Sequence, residues 1–277
     1  MKFFYLILLI IVTLRSVSQS EIHLCVTDSL GIPISYVEYG IIGVIGNVTD
    51  IHGNLYLDIE NDNVNDTLTI SCIGYSLKKI SISEALNLDT IVLLNKFNKL
   101  DNVIINKNEY KTKEIGFDRY KNFTYTLRYP AKVASVIDEY NDDDAYIYSI
   151  RFYIKKHEQK AKLRITLYTI DKKTHSPKTI LNKKDIIFKI KKDGWNNIEL
   201  KETIKMPDSG LICSFQILDN DKVDEVLFGG HISPRNEYKN KILDSFYPHM
   251  PWQFFSFEDQ PIFLTLAVTL KVIIKKE

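Results

Sequence analysis

Thr49-Asp50-Ile51-His52-Gly53-Asn54-Leu55-Tyr56-Leu57-Asp58-Ile59 reads as a tight turn feeding a half-buried strand. Asp50 and Gly53 bracket the turn, the carboxylate placed to accept a backbone N–H and the glycine able to take positive φ. Leu55, Leu57 and Ile59 then alternate with more polar residues, the period of a strand with one face in a core. The pattern extends to both sides. Ile22, Leu24 and Val26 alternate before Thr27-Asp28-Ser29-Leu30-Gly31, and Pro33 opens a run through Ile34, Tyr36 and Ile41. Thr67 to Ile73 ends in Gly74-Tyr75, and Ile80, Ile82 and Ile91 to Leu94 close the set. Roughly seven strands in some 75 residues is the spacing of an antiparallel sandwich.

Residues 95–122 are rich in Lys and Asn and lose their apolar period after Ile105, so they read as a linker or connecting strand. Strands resume at Ile147 to Ile154, Leu163 to Ile170, Ile186 to Ile190, Trp195 to Leu200, Leu211 to Leu218 and Ile262 to Ile274. A second β-sandwich is expected. Trp195 alternates with core positions and reads as core, while Gly229-Gly230 reads as a turn. The expected division is a secretion signal at 1–20, a sandwich at 21–97, a connection at 98–125 and a second sandwich at 126–277.

Several of these residues also carry a resemblance. Val26-Thr27-Asp28, Gly31-x-Pro33-Ile34, Val37, Thr49-Asp50-x-x-Gly53-x-Leu55-x-Leu57 and Leu68-x-Ile70-Ser71-x-Ile73-Gly74-Tyr75 resemble the carboxypeptidase regulatory-like domain of Bacteroidetes proteins. Leu24 departs from the family, which has a glycine near the first strand. The resemblance implies a transthyretin-like, Ig-like sandwich and no peptidase chemistry. Leu100-Asp101-Asn102-Val103-Ile104-Ile105 looks like the segment that follows this domain in TonB-dependent receptors. Leu163 to Tyr168, Pro177, Leu181, Gly194-Trp195-x-x-Ile198-x-Leu200 and Leu211-Ile212-x-x-Phe215 resemble the jelly-roll half found behind such domains. The fold class expected is therefore all-β, two sandwiches, transthyretin/Ig-like then jelly-roll-like.

Lys2, an apolar run from Phe3 to Leu14 and the polar stretch Arg15 to Ser20 read as an export signal cleaved after Ser18 or Ser20. A run of about a dozen residues falls short of the roughly 20 that span a bilayer, so no stable membrane span is expected after cleavage. The expected location is periplasmic or outer-membrane-associated. Lys and Arg number 36 against 35 Asp and Glu, a net charge of +1, which gathers no nucleic acid. Cys25, Cys72 and Cys213 are an odd set, allowing at most one bridge, with Cys25–Cys72 the pair to examine. Cys72 and Cys213 share parity with apolar neighbours and read as small hydrophobes.

No catalytic motif emerges. None of His23, His52, His157, His175, His231 and His249 has a Glu three residues on or a His four residues on, which removes a zinc hydrolase helix. A Gly-x-Ser-x-Gly elbow and a phosphate loop are missing too. Asp138, Glu139, Glu225 and Asp244 are the carboxylates a jelly-roll hydrolase would need to converge. Asp142, Asp143 and Asp144 form an oxygen-rich run suited to calcium but lack EF-hand spacing. Phe246 to Phe255 is an aromatic loop in which Tyr247, His249 and Trp252 are the candidate ligand-binding residues, for a glycan or an envelope protein, although large aromatics are mostly buried and Trp252, Phe254 and Phe255 read first as filling the end of the sandwich core. The alternative to a binding module is a structural partner of a TonB-linked system, acting in trans.

Overall fold

The computed structural model describes residues 20–59, 63, 65–96, 110–137, 144–157, 161–218, 225–233, 242–254 and 263–275. The expected export signal before Ser20 and the Leu100 to Ile105 motif lie outside the described residues.

The chain is all-β and builds two sandwiches with separate cores. In the first, β1 (Ser20–Thr27) runs antiparallel to β4 (Asn54–Ile59) and parallel to β7 (Thr90–Val92). The facing sheet has the order β3 (Ile45–Val48), β2 (Glu38–Ile41), β5 (Thr67–Ser71), β6 (Lys78–Ser81), all antiparallel. A single helical turn, α1 (Ile82–Ala85), starts where the Ser81 hydroxyl accepts the Glu84 N–H at 3.1 Å. Leu24, Val26, Leu55, Leu57, Leu68, Ile70 and Ile91 meet between the sheets, as their alternation requires. The Asp50 carboxylate accepts the N–H groups of His52 and Asn54 at 2.8 and 2.9 Å, and Gly53 takes φ +77°, so the opening stretch turns as its chemistry dictates.

The second sandwich sets two sheets face to face. One has the order β13 (Pro177–Ile180), β12 (Lys162–Ile170), β16 (Leu211–Ile217), β10 (Lys132–Ile137), β18 (Ile242–Ser245), β19 (Gln253–Phe254), with β14 (Ile186–Lys189) also on β12. The other has the order β20 (Phe263–Leu266), β17 (Glu225–Ser233), β11 (Ala145–His157), β21 (Val268–Lys275), β8 (Tyr110–Gly116). Two more strands join it, β15 (Gly194–Lys205) on β11 and β9 (Phe123–Arg128) on β17. Phe152, Phe215 and Phe228 lock the centre with ring centroids 5.0 to 6.3 Å apart. Each such buried ring contributes about 1.5–3 kcal/mol over its exposed state.

Three expectations change. Residues 110–125, expected as part of the connection, supply β8 and the start of β9, so the second sandwich begins well before residue 126. β8 is an edge strand whose polar residues face solvent, and that hides its period. Gly229 and Gly230 lie inside β17 rather than in a turn. A Cβ on Gly229 would meet the Tyr153 ring at 2.6 Å, so the strand is bare there because a ring lies against it. Trp195 stands outside the core, half-buried on the outer face of its sheet. The three cysteines are free, with the Cys25–Cys72 pair unbridged: Cys25 lies on β1, Cys72 just past the end of β5 in the facing sheet, and the Cys25 thiol points to the His52 backbone carbonyl at 3.8 Å.

Candidate functional site

The outer face of the β12–β16–β10–β18 sheet carries polar side chains at alternate positions, and the first sandwich docks on it. Lys132 of β10 reaches the Glu38 carboxylate of β2 at 2.7 Å. Arg164 of β12 gives one terminal nitrogen to Glu38 at 3.4 Å and the other to Asp185 at 3.1 Å and to the Tyr36 carbonyl. Lys162 donates to the Tyr36 hydroxyl at 3.1 Å, and the Tyr129 hydroxyl donates to Asn47. Tyr36, Val48 and Leu218 form a small apolar contact beside these charges. Burial pushes the Glu38 carboxyl up, but Lys132 and Arg164 outweigh it and hold it below its ordinary range. At Asp185 burial wins over Arg164 and raises the carboxyl. This seam was invisible in the sequence, because its partners lie 94 and 126 residues apart.

The aromatic loop joins β18 to β19 beside that seam. The Ser245 hydroxyl donates to the carbonyls of Tyr247 and Met250 at 3.0 and 3.1 Å, and the Met250 N–H returns to Tyr247 at 3.1 Å. Pro248 lies on the bare backbone of Gly46, where a Cβ would sit 2.2 Å from its carbonyl oxygen. His249 adopts φ +66° and turns its ring to the Glu38 backbone; burial holds it below its ordinary pKa, against the pull of Glu38. Trp252 packs edge-on to Tyr168, with ring centroids 6.3 Å apart, over Ala134, Ile212 and Leu243. Of the three expected residues, only Tyr247 stands exposed, at 39%. His249 and Trp252 are anchors that hold the loop. The open rings beside Tyr247 are Phe246, 53% exposed, and Phe254, 43% exposed.

A second ring cluster went unrecognised in the sequence. Tyr120 stacks on Tyr153 at 3.9 Å, and Trp195 meets them edge-on at 5.9 and 5.5 Å. Arg151 lies 4.1 Å over the Trp195 ring. The signal was the alternation Arg151, Tyr153, Lys155 along β11, which puts all three side chains on one face.

The expected hydrolase carboxylates do not converge. Asp244 lies inside the second sandwich, accepting from Tyr125 at 3.3 Å, and burial raises its carboxyl. Glu225 stands on the facing sheet, paired with Arg128 at 3.6 Å. Asp138, Glu139, Asp142 and Asp143 lie outside the described residues, and Asp144 is exposed at the head of β11. Among the described residues no three His, Cys, Asp or Glu side chains gather as metal ligands. Cys72 and Cys213 are not activated thiols: burial pushes Cys72 up to about 12 and raises Cys213 further. Among the described residues no helix is long and apolar enough to cross a membrane.

No family model and no curated protein sequence matches the chain. Among solved structures, the cysteine protease and lectin-like domains of Cwp84, a surface-layer-associated protein of Clostridium difficile, are 10% identical with a TM-score of 0.40. That match covers 57% of this chain, which spans only 37% of the other. A second Cwp84 structure, after propeptide cleavage, is 12% identical over 94% of this chain and 71% of that one, with a TM-score of 0.42. A carbohydrate-binding module of the β-sandwich superfamily is 10% identical over 70% of this chain and 83% of its own, with a TM-score of 0.21. Likenesses this distant carry nothing about chemistry.

Proposed function

We infer that the protein is a non-catalytic, exported binding module that presents the 246–254 loop to a glycan of the cell envelope. The observation that carries this is the contrast within one loop. Phe246, Tyr247 and Phe254 are held open to solvent while Pro248, His249 and Trp252 fix the backbone beneath them. Exposed rings cost a free protein solubility, and a fixed loop that keeps three of them open is preorganised for a partner. A ring face suits the apolar C–H face of a sugar, and the Tyr247 hydroxyl adds a hydrogen bond. The Lys2 to Ser20 segment and the regulatory-like motifs of the first sandwich support an envelope setting.

The test is binding of the full chain to a polysaccharide panel, with and without calcium, beside Tyr247→Ala and Phe246→Ala. Saturable binding that weakens about tenfold in either variant supports the reading, since a lost stacking contact is worth roughly that. Retained binding in both would move the ligand elsewhere. No binding to any glycan, with a protein crosslinked at this loop in cells, would replace the sugar by an envelope protein anchored on the same rings.

A further inference from the structure

The face of the second sandwich that points away from the first carries a different arrangement. Along β11, Arg151, Tyr153 and Lys155 point outward, while a register shift between Ile154 and Lys156 takes His157 out of that alternation and sets it opposite the core residue Val226. Each is held in place by a neighbour. Arg151 donates to Glu114 at 3.1 Å, and Glu114 is fixed by the Thr269 hydroxyl at 2.5 Å. Lys155 donates to the Thr124 hydroxyl at 2.8 Å. His157 and Asp193 meet at 2.7 Å, which pins the turn leading into Trp195. Tyr120, from the β8–β9 connection, closes down on Tyr153 over Gly229.

These rings add nothing to either core, and a glycine in mid-strand costs about 0.5–1 kcal/mol against alanine. The arrangement spends that cost on a shallow apolar floor with a cation at each end. Arg151 has five N–H donors and gives one to Glu114; Lys155 has three and gives one to Thr124. Four residues of strand separate the two cations by about 13 Å. We propose that this face is a second binding site, for an acidic polysaccharide whose carboxylates pair with Arg151 and Lys155 while a sugar ring lies on the Tyr120–Tyr153–Trp195 floor. A polymer with repeated carboxylates matches two spaced cations, which a single small acid cannot. Tyr120 and Tyr153 cover each other and Arg151 covers Trp195, so the floor offers a ligand ring edges and the two cations carry the recognition. Single-stranded nucleic acid, which relies on open faces for base stacking, loses more by this than a carboxylate polymer does.

This inference stands apart from the loop at 246–254, and its test separates the two. The full chain is titrated calorimetrically with polygalacturonate, with neutral dextran and with a poly-thymidine strand. The variants are Arg151→Gln, Lys155→Gln, Tyr120→Ala and Tyr247→Ala. Polygalacturonate is expected to bind, to weaken about tenfold in Arg151→Gln and in Tyr120→Ala, to weaken with added salt and to be unaffected by Tyr247→Ala. Absence of polygalacturonate binding, equal binding of dextran or poly-thymidine, or folded Arg151→Gln and Lys155→Gln proteins that bind like the parent would each overturn it. Lys155 is exposed and Arg151 is about a third exposed, so neither charge variant empties a core position and the question stays answerable if Tyr120→Ala unfolds.

Discussion

Lys132 and Glu38 meet at 2.7 Å across the seam between the sandwiches, with only 10% and 16% of their side chains open to solvent. The pair joins the middle of one sheet to the outer face of another, and Arg164 shares the same carboxylate. Two cations and two acids, Glu38 and Asp185, balance there. Breaking a buried set is far costlier than its net worth, because the survivors are left unpaired.

Glu38→Ala is therefore expected to cost about 3–5 kcal/mol, by stranding Lys132 and Arg164. Glu38→Gln should cost less, since its amide oxygen still accepts. Urea unfolding of both variants measures this; a loss under 1 kcal/mol in the alanine variant would mean that water reaches the seam.

The seam also sets an acid dependence. Glu38 titrates below its ordinary value of 4.5 in the folded chain, so its contribution is complete above the unfolded pKa and is lost as pH falls through the lower folded one. Asp185, raised by burial, works in the opposite sense: its charge costs stability at neutral pH, and protonation relieves that cost. The stability gap between the parent and Glu38→Gln should be widest at neutral pH and close as the solution is acidified past 4.5. A gap that stays constant into acid would show that Glu38 is not ionised in the seam.

Gly46→Ala tests whether the first sandwich positions the aromatic loop. The new Cβ would fall 2.2 Å from the Pro248 carbonyl oxygen, so backbone must move. Overpacking of this kind costs about 1–3 kcal/mol, and the shift should expose Trp252 and redden its emission. Unchanged emission in a folded variant would free the loop from the first sandwich.

Thiol chemistry gives a further check. Denatured protein should release three thiols to a disulfide reagent. Folded protein should react slowly at Cys72, held up to about 12 by burial, and not at all at Cys213 in the core. Recovery of one denatured thiol instead of three would point to a bridge.

Much of the fold was legible because alternation is local. Leu163, Ile165 and Leu167 announce one face of β12 by themselves, as Asp50 and Gly53 announce their turn. The seam was not legible, because Arg164 and Lys132 look like ordinary solvent-facing residues until the first sandwich arrives to cover them. Gly229 misled for a related reason: its ring partners, Tyr120 and Tyr153, lie on other segments of the chain. In the aromatic loop, composition marked the right stretch, while backbone geometry decided which rings anchor and which stay open.

The placement of β21 reaches into how the molecule is made. Residues 268–275 sit between β11 and β8, pairing Thr269 with both Arg151 and Gly116. A strand synthesised after all its partners therefore completes the middle of their sheet. The first sandwich has every strand it needs once Val92 has emerged, but the second must wait with an open slot. Until β21 arrives that slot is an unpaired template for any stray extended segment, and it closes only when Val268–Lys275 pairs with β11 and β8.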